Sequence, residues 1–349
     1  MTTIQSRNEW DPLEAIVVGN TRNARYPFRD ISSLNAEYAG KPEEALPVGP
    51  FPDWAIEESE EDLARFAETL SAAGVTVVRP EDWNHERPVA NQLWESKGFY
   101  NYCPRDILLV VDDLVIETPN AMRGRYHETL AYRSLIMPHV MGGGRYIAAP
   151  KPRLDDSIFA VPPSRPVPRN DEPVFDAANV MRFDDDLLYL ISSTGNELGA
   201  RWLQSVLGDR YRVHTCEIDY YGSHIDTSIV PLRPGLLLCN PDRVTPQMLP
   251  DFLRSWEIVF APEPSEKREP QAHYFDNCLA SRWMGMNVLS LSPDVVVVDE
   301  QEPELIRLLE RKGLTTVPLP LRHSRLFGGG FHCVTLDLVR RHDSASATR

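Results

Sequence analysis

A unit made of a strand, a turn, a second strand, an amphipathic helix and a third strand returns about five times along the chain. This repetition constrains the fold more than any other feature, because such units build either an array or a closed ring. In the first copy, Leu63, Phe66 and Leu70 share one helical face, and Gly74 is expected to end the helix. The copies differ too much for a regular solenoid. We therefore predict an α/β fold, a five-bladed ββαβ propeller with pseudo-fivefold symmetry.

The later copies keep the same order of elements with different turn residues. "DILLVVDDLVIETP" is predicted to turn at Asp112 and Asp113, and "TSIVPLRPGLLLCN" at Pro234 and Gly235. Helices are predicted over 123–139 and in "PQMLPDFLRSW". Each copy then closes with a further strand.

The two ends of the chain are expected to meet in space. The C-terminal strand "FHCVTLDLV" would complete the blade that the N-terminal segment begins, which would close the ring. We predict one domain over 1–340 and a disordered tail over 341–349. The Pro-rich segment 160–173 is interpreted as a surface loop between blades.

Composition narrows the function classes. The net charge is -15, with 36 basic against 51 acidic residues, which argues against binding to a phosphate backbone. No apolar run approaches the ~20 residues of a membrane span, and the first residues, "MTTIQSRNEW", contain no apolar h-region, so we expect a cytoplasmic protein. The five cysteines form no C-x-x-C pair, and four of them are expected to be small buried hydrophobes: Cys103, Cys216, Cys239 and Cys278.

The remaining cysteine, Cys333, follows three glycines and a histidine in "LFGGGFHCVTLD". If this stretch is a strand, Phe331, Cys333 and Thr335 lie on one face and His332 on the other. We therefore expect His332 to be a hydrogen-bonded scaffold residue, and the base for Cys333 to come from elsewhere. The glycines at 328–330 would permit positive φ and close approach of a ligand, although a plain turn explains them nearly as well.

The other candidate residues each stand just before a predicted hairpin strand. His224 and Asp226 in "SHIDTSIV" would share a strand face, and an imidazole near a thiol both lowers its pKa and shuttles its proton. Asp176 in "EPVFDAAN" could orient that histidine or cap a turn, and Asp106 in "CPRDILLV" could likewise be a cap. In a closed ring these equivalent positions converge on the axis, which would gather them around Cys333.

These segments resemble the arginine-dependent amidinotransferases of the pentein superfamily, over essentially the whole chain. The matching motifs, in the family's order and spacing, are "CPRDILLV", "APKPRL", "EPVFDAAN", "HID", "CNPDR", "MGMNVL" and "GGGFHC". The resemblance implies a five-blade propeller with a Cys-His-Asp centre. It also implies amidino transfer without a metal or an organic cofactor.

The resemblance implies roles residue by residue. Cys333 corresponds to the nucleophile, His224 to the acid and base, and Asp176 to the carboxylate that orients the histidine. The reaction implied is ping-pong: the amidino group of L-arginine passes to Cys333 with release of ornithine, and then to a primary amine.

The implied substrate contacts lie at four further positions. Asp106 and Asp226 correspond to the carboxylates that grip the guanidinium. Arg243 and Ser281 correspond to residues that hold the donor's α-carboxylate, and the Ser281 match rests on the short motif "ASRW".

The acceptor amine is expected to be an aminocyclitol phosphate. Ser223 stands where glycine-using enzymes have a bulky methionine, and "NELGARWLQS" and "PDFLRSWE" look closest to bacterial inosamine-phosphate amidinotransferases of antibiotic biosynthesis. A phosphorylated acceptor would need a basic contact, for which Arg125, Arg282 and Arg325 are candidates. A solvated or structural role is the more common alternative for each of them.

Other functions stay open on sequence alone. Glycine or another amine could be the acceptor, an arginine deiminase would admit water and yield citrulline, and a non-catalytic ring would only bind a partner. The partners expected are L-arginine and an amine acceptor, with no nucleic acid and no membrane. A homodimer is an open alternative.

Overall fold

The computed structural model describes residues 4–39, 41, 43, 46–218, 222–265 and 280–342. Cys278 and residues 343–349 lie outside this range, so the predicted tail is described only at its start. There, Arg341 contacts Glu14 and His342 contacts Asp11. Within the described residues, none of the helices is both long and apolar enough to cross a membrane.

The elements alternate along the chain. The strands are β1 (Leu13–Val18), β2 (Thr76–Val78), β3 (Pro88–Ala90), β4 (Glu95–Lys97), β5 (Leu108–Val111), β6 (Leu114–Glu117), β7 (Arg145–Ala148), β8 (Val180–Phe183), β9 (Asp186–Leu190), β10 (Arg212–Cys216), β11 (Ile229–Arg233), β12 (Leu236–Cys239), β13 (Glu257–Phe260), β14 (Leu289–Ser292), β15 (Val295–Asp299), β16 (Thr315–Leu319) and β17 (Thr335–Arg340). The helices are α1 (Ile31–Glu37), α2 (Asp53–Ala72), α3 (Arg133–Met141), α4 (Glu197–Leu207), α5 (Pro303–Arg311) and α6 (Ser324–Phe327).

The described strands form five three-stranded sheets and one short hairpin, β3–β4. In chain order the three-stranded sheets are sheet I (β17–β1–β2), sheet II (β5–β6–β7), sheet III (β8–β9–β10), sheet IV (β11–β12–β13) and sheet V (β14–β15–β16). In each sheet the middle strand pairs antiparallel with one neighbour and parallel with the other. The C-terminal β17 pairs with the N-terminal β1, as the sequence predicted.

The turn residues explain the hairpins. Asp112 between β5 and β6 has φ +53°, and Gly235 between β11 and β12 has φ +78°. Gly74, at φ +87°, follows α2 as expected. Because helices and strands alternate along the chain, the predicted mixed α/β class is confirmed.

Two helix predictions were wrong. The fourth unit has only short 3₁₀ turns at Pro246–Met248 and Asp251–Leu253. Proline is tolerated at the first helical position, as at Pro246, but Pro250 would stand inside the helix, where it has no N–H to donate and its ring clashes with the preceding turn. The segment predicted as one helix over 123–139 is two 3₁₀ turns followed by α3. The hairpin β3–β4 was not predicted.

Five hydrophobic clusters lie between neighbouring sheets in cyclic order. The pairs joined are I–II, II–III, III–IV, IV–V and V–I. Sheet IV illustrates the geometry: Ile229 and Leu237 pack toward sheet III, whereas Val230 and Leu238 pack toward sheet V. Both faces of these strands are therefore buried. Each fully buried aliphatic side chain stabilises the fold by about 1.5–3 kcal/mol.

A buried ionic network ties sheets I, II and III together. Arg182 of β8 donates to both carboxylate oxygens of Glu9 at 2.7 Å and to Asp337 of β17 at 2.7 Å. Arg105, just before β5, and Arg340 donate to the same Asp337. Since each charge is paired, loss of one member would leave its partners buried without a counter-charge, at a cost of about 3–5 kcal/mol.

Candidate active site

One cavity is lined by segments that precede strands of different sheets. Its walls include Glu37, Tyr100, Asp106, Ser223, His224, Asp226, Thr227, Ser281, Gly328 and Cys333. The structure thus brings Cys333, His224 and the two carboxylates Asp106 and Asp226 into one space. Asp176 joins them through a hydrogen bond to His224.

Cys333 lies in a turn, and the prediction of a strand through this residue was wrong. Residues 331–334 form a turn, and β17 begins only at Thr335. The side chain of Asn287 holds this turn: its Oδ1 accepts the backbone N–H of Cys333 at 2.9 Å, and its Nδ2 lies 3.1 Å from the Cys333 sulfur. The sulfur is also 3.0 Å from Oδ2 of Asp226.

The glycines before Cys333 serve two needs. Gly328 lines the cavity at φ +77°, a left-handed conformation that favours glycine. At Gly330, a Cβ atom would lie 2.6 Å from Cβ of Asn287, so a side chain would displace the residue that fixes the turn.

His332 is a scaffold residue, as expected, although strand alternation does not explain it. Its Nδ1 lies 2.9 Å from Oδ2 of Asp226, and its Nε2 lies 3.3 Å from Glu9. Through Glu9 it connects the cavity to the buried ionic network. This ring therefore orients Asp226 from behind.

His224 lies between two carboxylates, with Nε2 at 3.1 Å from Asp176 and Nδ1 at 3.5 Å from Asp106. The other oxygen of Asp176 accepts hydrogen bonds from Nδ2 of Asn120 at 2.9 Å and from the backbone N–H of Ala121 at 3.3 Å. Burial opposes the imidazolium, but the two carboxylates outweigh it and raise the pKa of His224 well above its usual value. The ring is therefore charged near neutral pH.

The prediction that His224 and Asp226 share a strand face was wrong. Both precede β11: His224 lies in an irregular segment and Asp226 in a turn, where the backbone N–H groups of Ser228 and Ile229 donate to the carbonyl of Ile225. They reach the same cavity because the turn folds both side chains toward it.

Asp106 is held from behind by a fully buried arginine. Nη1 of Arg125 donates to Oδ2 of Asp106 at 2.6 Å. The Nε and Nη2 atoms of Arg125 donate to the two carboxylate oxygens of Glu128. Within the described part of the chain, Oδ1 of Asp106 accepts no hydrogen bond. Burial raises the pKa of Asp106 despite the cations beside it. Its ion-pair contact with Nδ1 of His224 is long, at 3.5 Å, so this oxygen in the cavity wall is available to a ligand N–H group.

Arg243 and Ser281 meet at the edge of the cavity. Nη2 of Arg243 donates to the Ser281 hydroxyl, and Nη1 donates to Oγ1 of Thr227 at 3.0 Å. Arg282 is exposed and pairs with Asp242 and with Glu263 at 3.0 Å.

Sequence reasoning missed several residues of the site. Asn287 lies inside the motif "MGMNVL", which could have indicated it. Cys103 was interpreted as an ordinary buried residue, yet a Cβ atom on Gly329 would lie 2.6 Å from its sulfur and 3.0 Å from Cβ of Cys333. Glu37 and Tyr100 gave no signal, because neither stands in a recognisable pattern.

A group of potential metal ligands lies elsewhere. Among the described residues, Asp11, Asp184 and His342 offer ligand atoms within 4.8 Å of one another. None of them lines the cavity around Cys333.

The thiol environment leads to a pH prediction. The hydrogen bond with Cys103, burial and the negative charge of Asp226 raise the pKa of Cys333 well above its ordinary value, although His224 opposes this. The reactive thiolate is then scarce at pH 7, and its fraction grows about tenfold per pH unit below the pKa. We expect iodoacetamide to label Cys333 slowly at pH 7 and progressively faster up to pH 9 and beyond, measured by mass spectrometry of the peptide. A labelling rate that is constant between pH 6 and 9 would contradict this environment.

Comparison with known proteins places the chain among relatives of one kind. No family model matches the chain. The inosamine-phosphate amidinotransferase 1 of Streptomyces griseus is 49% identical over 345 residues, covering 97% of this chain and 98% of that protein. The L-arginine:L-lysine amidinotransferase of Pseudomonas savastanoi pv. phaseolicola is 36% identical over 362 residues, covering 96% and 94%.

Solved structures of amidinotransferases and of related hydrolases superpose on this chain. An inosamine-phosphate amidinotransferase from Streptomyces griseus superposes with a TM-score of 0.93 at 47% identity, covering 98% of each chain. A dimethylarginine dimethylaminohydrolase superposes with a TM-score of 0.59 at 16% identity, covering 93% of this chain and 99% of that one, which shows a shared fold alone.

Proposed function

The chain belongs to the amidinotransferase family and is an enzyme that transfers amidino groups, and we propose that it takes the group from L-arginine through a covalent intermediate on Cys333. The observation that carries this proposal is one cavity in which a cysteine, a histidine held by a carboxylate, and two further carboxylates meet. The printed name of one relative, an L-arginine:L-lysine amidinotransferase, supports arginine as the donor.

The donor's guanidinium would lie between Asp106 and Asp226. A planar cation with several N–H groups suits carboxylates better than the N–H donors of an oxyanion hole. Asp106 offers Oδ1, which accepts no hydrogen bond among the described residues. Burial raises the pKa of Asp226, but the hydrogen bond from His332 acts against it and the pKa lies below its usual value, so Asp226 is kept ionised. Both would place the guanidinium carbon next to the Cys333 sulfur.

The arriving cation also prepares the nucleophile. A positive charge between the carboxylates offsets the negative charge of Asp226, which is one cause of the raised pKa of Cys333. The pKa of the thiol therefore falls, and its proton leaves to solvent as the guanidinium binds. The thiolate attacks the guanidinium carbon and gives a neutral tetrahedral adduct. The imidazolium of His224 protonates the departing nitrogen, the C–N bond breaks, and ornithine leaves behind an amidino-cysteine.

The second half reverses these steps with another amine. The amine attacks the amidino carbon, neutral His224 takes its proton, and the C–S bond breaks to restore the Cys333 thiolate. Asp176 would keep the imidazole in place for both proton transfers. Arg243 and Ser281 would hold the donor's α-carboxylate, since their contact lies at the cavity edge.

The acceptor we propose is an inosamine phosphate in aminocyclitol antibiotic biosynthesis. It is named in relatives that are 49% and 47% identical to this chain, and Ser223 places a small side chain in the cavity wall, which favours an acceptor larger than glycine. Of the three arginines considered as phosphate contacts, Arg125 is fully buried and pairs with Asp106 and Glu128, which makes it unsuitable.

We further propose that sheets I to V are the blades of a closed propeller with pseudo-fivefold symmetry. The support is the cyclic order of the five hydrophobic clusters, in which sheet V packs on sheet I as each other sheet packs on the next. Such closure would explain why segments far apart in sequence share one cavity.

A product and acceptor assay tests the function. Purified protein is incubated with L-arginine and glycine, lysine or an inosamine phosphate, and ornithine and citrulline are measured separately. We expect ornithine release that depends on the inosamine phosphate. Preference for glycine would contradict the acceptor, and citrulline as the main product would contradict transfer.

A further inference from the structure

Glu37 presents a carboxylate to the cavity that the reaction outlined above does not use. It is the last residue of α1 and lines the same cavity as Cys333, His224 and Asp106. Among the described residues it forms no ion pair, in contrast to Asp176 and Asp226. A carboxylate of this kind is available to a ligand.

The helix that carries Glu37 is fixed at several points. Asp30 caps its first turn and accepts a hydrogen bond from Ser96 at 2.5 Å. Nδ2 of Asn35 donates to the carbonyl of Pro166 at 2.7 Å, and the hydroxyl of Ser193 donates to the carbonyl of Ala36 at 3.1 Å. The residue directly before Glu37 is therefore anchored to the protein body, which sets the position of the carboxylate.

Glu37 shares the wall of one cavity with His224 and Asp106. Burial raises the pKa of Glu37 to about 7, and the charges that act on it most are those of His224, Asp106, Asp176 and Arg125. His224 is the residue that would exchange protons with both the departing and the incoming nitrogen. Glu37 thus lies near the place where an acceptor amine must arrive.

The covalent intermediate explains why a third carboxylate is needed. An amidino group on the Cys333 sulfur is itself a cation and would keep Asp106 and Asp226 occupied. An acceptor that arrives as an ammonium then requires another carboxylate to compensate its charge. We propose that Glu37 binds the amine of the acceptor in the second half of the reaction, an inference that rests on the ping-pong transfer proposed above.

The step balances without a further reactant. The ammonium releases one proton to solvent and remains bound to the Glu37 carboxylate through an N–H group. The neutral nitrogen forms a bond to the amidino carbon, His224 takes the second proton, and the C–S bond breaks with its electron pair returning to sulfur. The product leaves as a guanidinium.

Ping-pong kinetics isolate this role. In such a mechanism kcat/KM for arginine reports only the first half-reaction, and kcat/KM for the acceptor only the second. For Glu37→Gln we expect kcat/KM for an inosamine phosphate to fall about 10- to 100-fold, as for loss of a hydrogen bond to a charged group. The kcat/KM for arginine should stay within about twofold of wild type. This result would also show that the variant is folded. Glu57→Gln, an exposed change on α2, is the matched control and should alter neither.

A second, uncharged nucleophile shows whether Glu37 acts on the charge of the acceptor or only on how easily an acceptor reaches the amidino-cysteine. Hydroxylamine is largely neutral at pH 7, so its kcat/KM should be little changed in Glu37→Gln. An unchanged value for the inosamine phosphate, or equal losses for arginine and acceptor, would overturn the role of Glu37. If the wild-type protein forms no amidino-cysteine with arginine, the proposed function itself fails, and this result is visible before any variant is made.

Discussion

Replacing Cys333 by serine is expected to lower kcat/KM for amidino transfer by roughly ten-thousand-fold or more, because the reaction would lose its nucleophile. A serine hydroxyl ionises far less readily than a thiol, and the guanidinium that we expect to assist ionisation cannot make up that difference. Steady-state ornithine release with a saturating acceptor measures the effect. The substitution is close in size, and Oδ1 of Asn287 accepts a hydrogen bond from the backbone N–H of position 333, which the change leaves in place, so the fold should persist.

The matched control is another buried cysteine. Cys216→Ala changes a thiol at the end of β10 that packs in the cluster between sheets III and IV, away from the cavity. It should leave kcat/KM within about twofold of wild type. Substantial transfer by Cys333→Ser, or an equal loss in Cys216→Ala, would contradict Cys333 as the nucleophile.

The second large effect is expected at His224. His224→Asn should lower kcat/KM by roughly 100- to 10,000-fold, because neither the departing nor the incoming nitrogen could exchange a proton with the enzyme. Wild-type activity should also decline at alkaline pH, since the pKa of His224 is raised and the imidazolium that expels ornithine is lost only above it. This alkaline limb should be absent from the residual activity of the variant.

A second histidine and carboxylate pair provides the control. Nε2 of His214 lies 2.7 Å from Asp186 in sheet III, outside the cavity. His214→Asn breaks a comparable pair and should leave kcat/KM nearly unchanged. If both variants lose activity alike, the effect of His224→Asn would be structural.

Local patterns in the sequence predicted most of the strands. Alternation and turn residues such as Asp112 and Gly235 marked the hairpins, because both depend on neighbours in the chain. The same approach failed at "PQMLPDFLRSW", where apolar spacing suggested a helix but Pro250, inside the segment, prevented one. It also failed at 331–334, where the turn depends on Asn287, more than forty residues away.

The site was predictable only in part, for a related reason. Family motifs indicated Cys333, His224 and Asp176, and the structure brings these three together. The partners that tune them come from long-range packing: Arg125 behind Asp106, Cys103 beside Cys333, and Glu37 at the end of α1. Nothing in the chain adjacent to these residues signals their place, so only the folded structure reveals them.

The central claim is that Cys333 carries the amidino group between two substrates. Mass spectrometry of the protein mixed with L-arginine alone, without an acceptor, tests it most directly. The account predicts that the Cys333 peptide gains the mass of one amidino group, that an equivalent of ornithine is released, and that adding an acceptor amine removes the modification. An unmodified Cys333 peptide together with citrulline in solution would contradict it.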